Sequence, residues 1–334
     1  MRTLIALLTL LLAGAPTAAL ASGPVAPSAA LAKLRADADS LRPLVRSSLA
    51  QGFLWATVGL SPKSARTVWR DSSRTTWWND RDARALPDSV LSRLISRPLD
   101  ETYFWNTRYG SPLAYARALE VAAAHGFTTF VDKRVADFGC GMVGQLQLMA
   151  SLGADAVGID VDASLRALYS EPGDLGKMGR GRVRLAIGQW PADESVRSEV
   201  GEGLDLFLSK NTLKNGYLHP AEPVEPRMRV HLGVSDSAFV AQLARSVRRG
   251  GLVVIYNLSP APAPPGKPYI PWADGRCPFP REMWEASGFE VLTFDEDDGP
   301  AARAMGHALG WDAGESGMKL ETDLFALTSV FRRR

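Results

Sequence analysis

The stretch Val135-Ala-Asp-Phe-Gly-Cys-Gly-Met-Val-Gly144, followed by Val157-Gly-Ile-Asp-Val161, decides the fold of this 334-residue chain. It predicts a strand, a glycine-rich turn, a helix, and a second strand that ends in an acid. Glycines in the turn let the backbone approach a ligand where a Cβ atom would collide. The helix would aim its unpaired N–H groups at that ligand, and Asp160 could accept hydrogen bonds from ribose hydroxyls. The stretch therefore predicts a βαβ unit that binds a nucleoside.

The glycine spacing fits two classes of cofactor. Gly139, Gly141 and Gly144, with an acid about 20 residues further on, match the dinucleotide fingerprint. Asp137 precedes the first glycine by two residues. Like charges about 4 Å apart near a surface oppose each other by roughly 4 kcal/mol, so this carboxylate would repel a pyrophosphate and attract an ammonium or sulfonium. The sequence therefore favours S-adenosylmethionine, which carries both cations and a ribose, over NAD.

At these residues the chain resembles the class I S-adenosylmethionine-dependent methyltransferases. The first motif of that family is an acid followed by alternating glycines, which is similar to Asp137, Gly139 and Gly141. The third glycine departs from the common pattern, because Val143 stands where many members have it. The second motif is similar to Gly158-Ile-Asp160.

Two more positions extend the resemblance over roughly residues 111–334. Where the family usually has an acid that meets the adenine amino group, this chain has Gln189, whose carbonyl could accept the same hydrogen bond. Leu204-Asp-Leu-Phe-Leu-Ser209 is similar to the strand that leads to the active-site edge. The resemblance implies a Rossmann-like α/β fold, doubly wound, with a mostly parallel seven-stranded sheet whose final strand is reversed. It also implies S-adenosylmethionine as the cofactor.

Strands and helices alternate beyond residue 111, which independently indicates an α/β domain with a covered parallel sheet. One helix is expected at Gln145–Leu152, and another at Ser237–Arg248 that ends at Gly250-Gly251. The expected strands are residues 134–138, 156–160, 182–187, 204–208, 252–257, 289–294 and 324–331.

The loop Ser209–Pro220 follows the fourth of these strands and carries the catalytic candidates. Ligands in open α/β sheets bind beyond the carboxyl ends of the strands. His219 is the candidate general base, because a neutral imidazole accepts a proton near pH 7. Lys210 could hold an acidic substrate or the cofactor carboxylate, and Asn211 could contact the substrate. Lys214 is interpreted as an ordinary surface lysine.

A proline-rich loop follows the fifth strand, from Ser259 to Pro280. Prolines fix φ and stiffen the chain. The loop is either one wall of the acceptor pocket, with Tyr269 and Trp272 as contact residues, or a structural strap over the sheet end. The Asn/Asp-Pro-Pro-aromatic motif of the amino-methylating subfamilies is missing, which argues against an amide or base nitrogen as acceptor. A small molecule is the expected substrate.

The N-terminal part of the chain divides into two segments. Residues 1–21, with a leucine-rich centre and Ala19-Leu20-Ala21 at the end, are predicted to be a signal peptide of an exported protein, periplasmic or secreted. An uncleaved membrane anchor is the alternative. Residues 22–110 are predicted to form a cap whose aromatic side chains pack on the catalytic domain, and an aromatic wall over the substrate is the alternative. The helical periodicity of this segment runs from about Ala29 to Ala50, and the remainder is irregular and rich in tryptophan and arginine.

Composition excludes several classes of partner. With 38 basic and 36 acidic residues, the chain has too little net positive charge to attract nucleic acid. Cys140 and Cys277 permit one disulfide, although free thiols are favoured, and two cysteines exclude a cysteine-based metal site. The acidic run Asp295–Asp298 is interpreted as a solvated turn, so no metal is expected.

Two other functions remain open. An exported binding module or pseudoenzyme would keep the fold without the chemistry. An NAD(P)-dependent oxidoreductase would use the same glycine turn, but Asp137 disfavours it.

Overall fold

Residues 28–105 and 111–334 are described by the structure, a computed structural model, so the predicted signal peptide lies outside the described residues. None of the helices in these two ranges combines the length and apolarity needed to cross a bilayer. The strands are β1 (Arg66–Arg70), β2 (Trp77–Asn79), β3 (Ile95–Leu99), β4 (Arg134–Phe138), β5 (Asp155–Asp160), β6 (Gly176–Met178), β7 (Gly181–Ile187), β8 (Leu204–Lys210), β9 (Val247–Ser259), β10 (Phe289–Asp297) and β11 (Phe325–Arg333). The helices are α1 (Ala29–Leu41), α2 (Ser48–Trp55), α3 (Asp80–Arg84), α4 (Asp88–Leu91), α5 (Glu101–Trp105), α6 (Ala116–Ala124), α7 (Gly144–Ser151), α8 (Ser164–Leu168), α9 (Glu194–Val200), α10 (Asn215–Leu218), α11 (Asp236–Ser246), α12 (Arg281–Ala286), α13 (Gly299–Ala308) and α14 (Leu320–Asp323).

One large mixed sheet organises the described chain, in the order β10-β11-β9-β8-β4-β5-β7-β6. The central strands β7, β5, β4, β8 and β9 run parallel, and β11 is antiparallel to both of its neighbours. The structure confirms the predicted α/β fold and the reversed final strand. It adds an eighth strand, β6, which pairs antiparallel with β7 at the sheet edge. A three-residue Gly-Lys-Met strand shows no periodicity from which it could have been predicted.

The central strands are buried on both faces, as parallel strands covered by helices must be. Every residue of β8 is buried. Leu206 and Leu208 face one apolar cluster, and Phe207 faces another on the opposite side of the sheet. The second cluster includes Trp284, whose ring stacks on Phe331 with the centroids 3.7 Å apart. These two layers fix the strand ends from which the loops of the site emerge.

The junction of α11 and β9 differs from the prediction. The helix ends at Ser246, and Val247 already belongs to the strand. Gly250 does not close the helix; it lies within β9 with φ +76°. A Cβ atom on Gly251 would come within 2.8 Å of the carbonyl oxygen of Leu204, so the glycines let an irregular start of β9 approach β8 closely.

The N-terminal cap begins with two helices: α1 lies within the predicted helical stretch from Ala29 to Ala50, and α2 begins near the end of that stretch and runs beyond it. It also contains a small antiparallel sheet in the order β2-β1-β3 that was not predicted. A buried ion-pair cluster joins this cap to the large sheet region. Asp174, 1% exposed, pairs with Lys63 at 2.8 Å and with Arg66 at 2.6 Å. The cap also contributes Leu31, Phe53 and other side chains to one of the apolar clusters of the large sheet.

Two smaller predictions can be compared with the structure. Both cysteines are free and buried, as favoured. The interpretation of Asp295–Asp298 as a solvated turn is wrong, because Asp298 accepts two hydrogen bonds from Arg117 at 2.7 Å and one from the Tyr256 hydroxyl at 2.8 Å. This acid anchors α6 to β9.

Candidate functional site

The glycine turn after β4 requires glycine for a specific steric reason. Gly139 and Gly141 have φ of +70° and +61°, a region that side chains disfavour. A Cβ atom on Gly139 would lie 2.1 Å from Oγ1 of Thr212, which follows β8. The Gly139 N–H donates to the carbonyl oxygen of Ile159 at 2.8 Å, so the turn is tied to the end of β5.

A cavity of about 610 Å³ opens beside this turn, at the carboxyl edge of β4, β5 and β7. It brings together Gly139, Asp160 and Gln189, three of the six residues predicted to bind the cofactor. A cavity of this size can hold a nucleoside-sized ligand. Among the other lining residues, Phe138 and Trp190 adjoin predicted residues in the sequence, whereas Arg229 and His231 come from a distant segment that sequence reasoning missed. The lining consists of Phe138, Gly139, Ile159, Asp160, Val161, Gly188, Gln189, Trp190, Thr212, Arg229, Val230 and His231.

Asp160 and Gln189 keep hydrogen-bonding capacity after their protein contacts are made. The two carboxylate oxygens of Asp160 accept one bond each, from the N–H of Gly141 at 2.8 Å and the N–H of Asp162 at 2.9 Å. A carboxylate has about four lone-pair sites, so further acceptor positions remain. The Gln189 side-chain nitrogen donates to the carbonyl oxygen of His231 at 2.8 Å. Its Oε1 is the acceptor that could meet an adenine amino group.

Asp137 lies beneath the turn rather than in the cavity. It is fully buried, and its Oδ2 accepts a hydrogen bond from the Gln145 side chain at 2.9 Å. Burial raises the pKa of this carboxyl to about 6, against opposing effects of Gln145, Tyr115 and Lys210. Its Oδ1 is buried without a hydrogen-bond partner in the described chain. The charge predicted to face the ligand is therefore held below the ligand-facing backbone.

Lys210, at the end of β8, is a buried lysine close to Asp137. Its ammonium lies 5.1 Å from the centroid of the Tyr115 ring. Burial lowers the pKa of Lys210 to about 8, and the charge of Asp137 opposes that shift. A lysine in this state is neutral in a substantial fraction of molecules near pH 8, and it can then accept a proton.

The rest of the loop after β8 is fixed by buried polar contacts. Asn211 has φ +66°, and its Oδ1 accepts a hydrogen bond from the Leu258 N–H at 2.7 Å. The interpretation of Lys214 as a surface lysine is wrong. Its ammonium is buried and donates to the carbonyl oxygens of Leu258 and Trp272, and burial lowers its pKa to about 7. Both residues thus bind the loop to the sheet end and to the proline-rich segment.

Gly144 has a packing role in the structure. It begins α7, and a Cβ atom there would come within 3.2 Å of Pro112 and 3.3 Å of Trp105. Gly144 therefore allows α7 to approach the N-terminal cap. It does not line the cavity beside the turn.

The remaining candidates lie apart from that cavity. The Nε2 atom of His219 is 2.9 Å from a carboxylate oxygen of Asp236, and the ring does not line the cavity. Tyr269 lines a second cavity of about 680 Å³ formed largely by the proline-rich segment, and its hydroxyl accepts the N–H of Ala221 at 3.2 Å. Trp272 is 38% exposed and lines neither cavity.

No protein-family model and no curated protein matches the chain. Among solved structures it is similar to the 4+2 cyclase SpnF, with 17% identity over 69% of this chain and 85% of that one and a TM-score of 0.39. It is also similar to magnesium protoporphyrin IX methyltransferase from Synechocystis with bound S-adenosylmethionine (15% identity, 66% and 78% of the two chains, TM-score 0.34). A third is geranyl diphosphate methyltransferase in complex with its diphosphate and sinefungin (14%, 67% and 82%, TM-score 0.39).

Likenesses at this level carry no information on substrate or reaction. The strand order does not depend on these likenesses. Apart from the edge strand β6, the sheet is doubly wound and has a reversed strand next to its edge, as the resemblance to Rossmann-like methyltransferases implied. Function has to be inferred from the geometry of the site.

Proposed function

We propose that this protein transfers a methyl group from S-adenosylmethionine to a small-molecule acceptor. The observation that carries the proposal is the cavity at the carboxyl edge of β4, β5 and β7, bounded by Gly139, Asp160 and Gln189. Ligands of doubly wound sheets bind at this edge. When bound, the cofactor supplies an electrophilic methyl group on a sulfonium.

The residues present fit the nucleoside half of this cofactor. Asp160 has acceptor positions left for ribose hydroxyls, and Gln189 has a free side-chain carbonyl for an amino group. Val161, 70% exposed and lining the same cavity, supplies apolar surface next to Asp160 for a base. The absence of a side chain at Gly139 keeps the backbone open to close approach.

The site fits the methionine half of the cofactor through the charge of Asp137. Asp137, which is buried beneath the turn, would favour a cationic group above it through its charge. Because this carboxyl is buried beneath the turn, its repulsion of a pyrophosphate is weaker evidence than the sequence alone suggested. The cavity supports a nucleoside ligand, and titration with NAD separates S-adenosylmethionine from a dinucleotide.

Lys210 is the better candidate than His219 for handling a proton of the acceptor. Neither side chain lines the cavity, but Lys210 lies at the end of β8, against Tyr115 and close to Asp137 beneath the glycine turn, whereas His219 is engaged by Asp236. We propose that its Nζ accepts the acceptor's proton when the methylated atom carries one. Positioning of the two reactants can supply roughly 7–11 kcal/mol of the barrier reduction by itself.

We also propose that the protein is exported, on the strength of the apolar run and Ala19-Leu20-Ala21 near the N-terminus. An exported methyltransferase would need a supply of its cofactor outside the cytoplasm. N-terminal sequencing of the protein isolated from its own cells tests this point. A mature N-terminus at Ser22 supports cleavage, and an intact Met1 supports the anchor.

Calorimetric titration of the purified protein with S-adenosylmethionine, S-adenosylhomocysteine and NAD tests the function. Binding of the first two without NAD is expected. NAD binding would indicate an oxidoreductase, and no binding of any of the three would indicate a binding module or pseudoenzyme.

Asp160→Ala should weaken S-adenosylhomocysteine binding by about 1.5–3 kcal/mol, since hydrogen bonds to a charged group are lost. Asp155→Ala is the matched control, because Asp155 lies at the opposite end of β5 and pairs with Arg184. Equal affinities of the two variants would rule out the ribose role of Asp160.

A further inference from the structure

A buried glutamine in the first turn of α7 binds three oxygens of the glycine turn. Gln145 is 2% exposed and directly follows the glycine at which the helix begins. Its side-chain nitrogen lies 2.9 Å from Oδ2 of Asp137, 3.0 Å from the carbonyl oxygen of Cys140 and 2.8 Å from that of Met142. One amide group therefore joins β4 to the backbone on both sides of Gly141.

The backbone that this amide fixes is bonded to a residue of the cavity. The Gly141 N–H, which lies between the two bonded carbonyl groups, donates to Oδ2 of Asp160 at 2.8 Å. Asp160 lines the cavity, whereas Gln145 does not. A movement of the Cys140 and Met142 carbonyls would shift this N–H together with the carboxylate that accepts its hydrogen bond. Gln145 is thus connected to the cavity through the turn.

The same amide stabilises the negative charge of Asp137. Burial raises the pKa of this carboxyl to about 6, and the hydrogen bond from Gln145 is the first of the effects that oppose the rise. A hydrogen bond to the charged form of a group favours that form, so loss of the amide would make Asp137 harder to ionise. The other titratable groups that face Asp137 are Tyr115 and Lys210, which favour the charged form, Asp160, which disfavours it, and the buried thiol of Cys140.

We propose that Gln145 is a positioning residue for cofactor binding, whose side-chain amide fixes the glycine turn and the Asp137 carboxylate relative to each other. The inference rests on the proposed function in taking the cavity beside the turn to hold S-adenosylmethionine. Three acceptors share the two N–H groups of the amide, so a side chain without donors cannot replace it. Glutamate at this position would place a second carboxylate against Asp137.

Gln145→Met removes the donors and keeps a long side chain, and Gln147→Met is the matched control. Gln147 lies on the same helix, is 1% exposed, and donates from its side-chain nitrogen to the carbonyl oxygen of Asp174 at 2.8 Å, away from the turn. Calorimetric titration should show that Gln145→Met weakens S-adenosylhomocysteine binding roughly tenfold at pH 8 and that Gln147→Met does not. Gln145→Asn, which keeps an amide on a shorter side chain, should have a smaller effect in the same direction.

The pH dependence of that affinity separates positioning from a general loss of stability. A cationic ligand binds better above a charged Asp137, so wild-type affinity should fall as the pH drops through about 6. In Gln145→Met the fall should begin at a higher pH, because the carboxyl is then protonated more easily. Gln147→Met should keep the wild-type midpoint.

The two free thiols test the turn without any ligand. Cys140 lies in the turn and Cys277 lies in the segment before α12, and both are buried. Modification by a disulfide reagent, followed by mass spectrometry of each peptide, gives the ratio of the two rates. Gln145→Met should raise the rate at Cys140 relative to Cys277 roughly tenfold, because the turn opens locally. Unfolding of the whole chain would raise both rates, and Gln147→Met should leave the ratio unchanged.

An unchanged thiol ratio together with an unchanged pH midpoint in Gln145→Met overturns the inference, even where affinity is lost. If the wild type nevertheless binds S-adenosylhomocysteine, the proposed function stands. If the wild type binds no S-adenosylhomocysteine, the proposed function fails, and the thiol ratio alone decides whether Gln145 fixes the turn. Equal effects of Gln145→Met and Gln147→Met in all three measurements also contradict a specific role of Gln145.

Discussion

Gly139→Ala tests the geometry of the turn at the position where a side chain has no room. An alanine there would keep φ near +70° and place its Cβ atom 2.1 Å from Oγ1 and 2.6 Å from Cγ2 of Thr212. A left-handed conformation costs a non-glycine residue about 1–2 kcal/mol. Overpacking a tight site costs about 1–3 kcal/mol more. We expect Gly139→Ala to lower the free energy of unfolding by about 2–5 kcal/mol in total.

Gly141→Ala is the control that separates the two costs. Gly141 has φ +61°, but a Cβ atom there would meet nothing within 4 Å. This variant should lose only the conformational part, about 1–2 kcal/mol. Urea unfolding followed by tryptophan fluorescence measures both variants.

A double-mutant cycle with Thr212→Gly then isolates the steric part. Gly139→Ala should cost about 1–3 kcal/mol less in the Thr212→Gly background than in the wild type. If the two alanine variants are equally stable, or if Thr212→Gly recovers nothing, the described contact between the turn and the loop after β8 is wrong.

Two further predictions concern buried charges. The pKa of Lys214 is lowered to about 7 in the folded protein and is about 10.4 in the unfolded chain, so the unfolded state binds more protons between these values and stability rises with pH there. Lys214→Met should therefore flatten the rise in unfolding free energy between about pH 7 and pH 10 by up to about 1.4 kcal/mol per pH unit, and an unchanged slope would contradict the buried position. Asp174→Asn leaves the buried cations of Lys63 and Arg66 without a counter-charge and should cost about 3–5 kcal/mol in urea unfolding at pH 7. A loss below about 1 kcal/mol would instead be typical of an exposed ion pair.

The central strands could be predicted because apolar runs bounded by glycines are long enough to identify. The burial of Asp137 could also have been predicted from the sequence. Parallel strands are covered on both faces, so each residue of β4 faces a layer of helices. The short strands of the N-terminal cap could not be predicted in the same way. These strands are only three to five residues long, which is too short for a periodicity to stand out.

Contacts between loops that are distant in the sequence could not be predicted. The buried ammonium of Lys214 donates hydrogen bonds to the carbonyl oxygens of Leu258 and Trp272, which are more than 40 residues away in the sequence. Arg229 and His231 reach the cavity through a segment whose position depends on Gln189 and Tyr217. Neither residue stands in a motif, so no local pattern marked them.

The Gln189 side chain has both a donor and an acceptor, which a carboxylate at the same position would not have. Its side-chain nitrogen tethers the segment of Arg229 and His231 by donating to the His231 carbonyl, and Gln189 itself lines the cavity. A carboxylate at this position could serve an adenine equally well, but it has no proton to give to the His231 carbonyl. An amide at this position can accept a hydrogen bond from a ligand and also donate one to the His231 carbonyl, so Gln189 links the segment of Arg229 and His231 to the cavity.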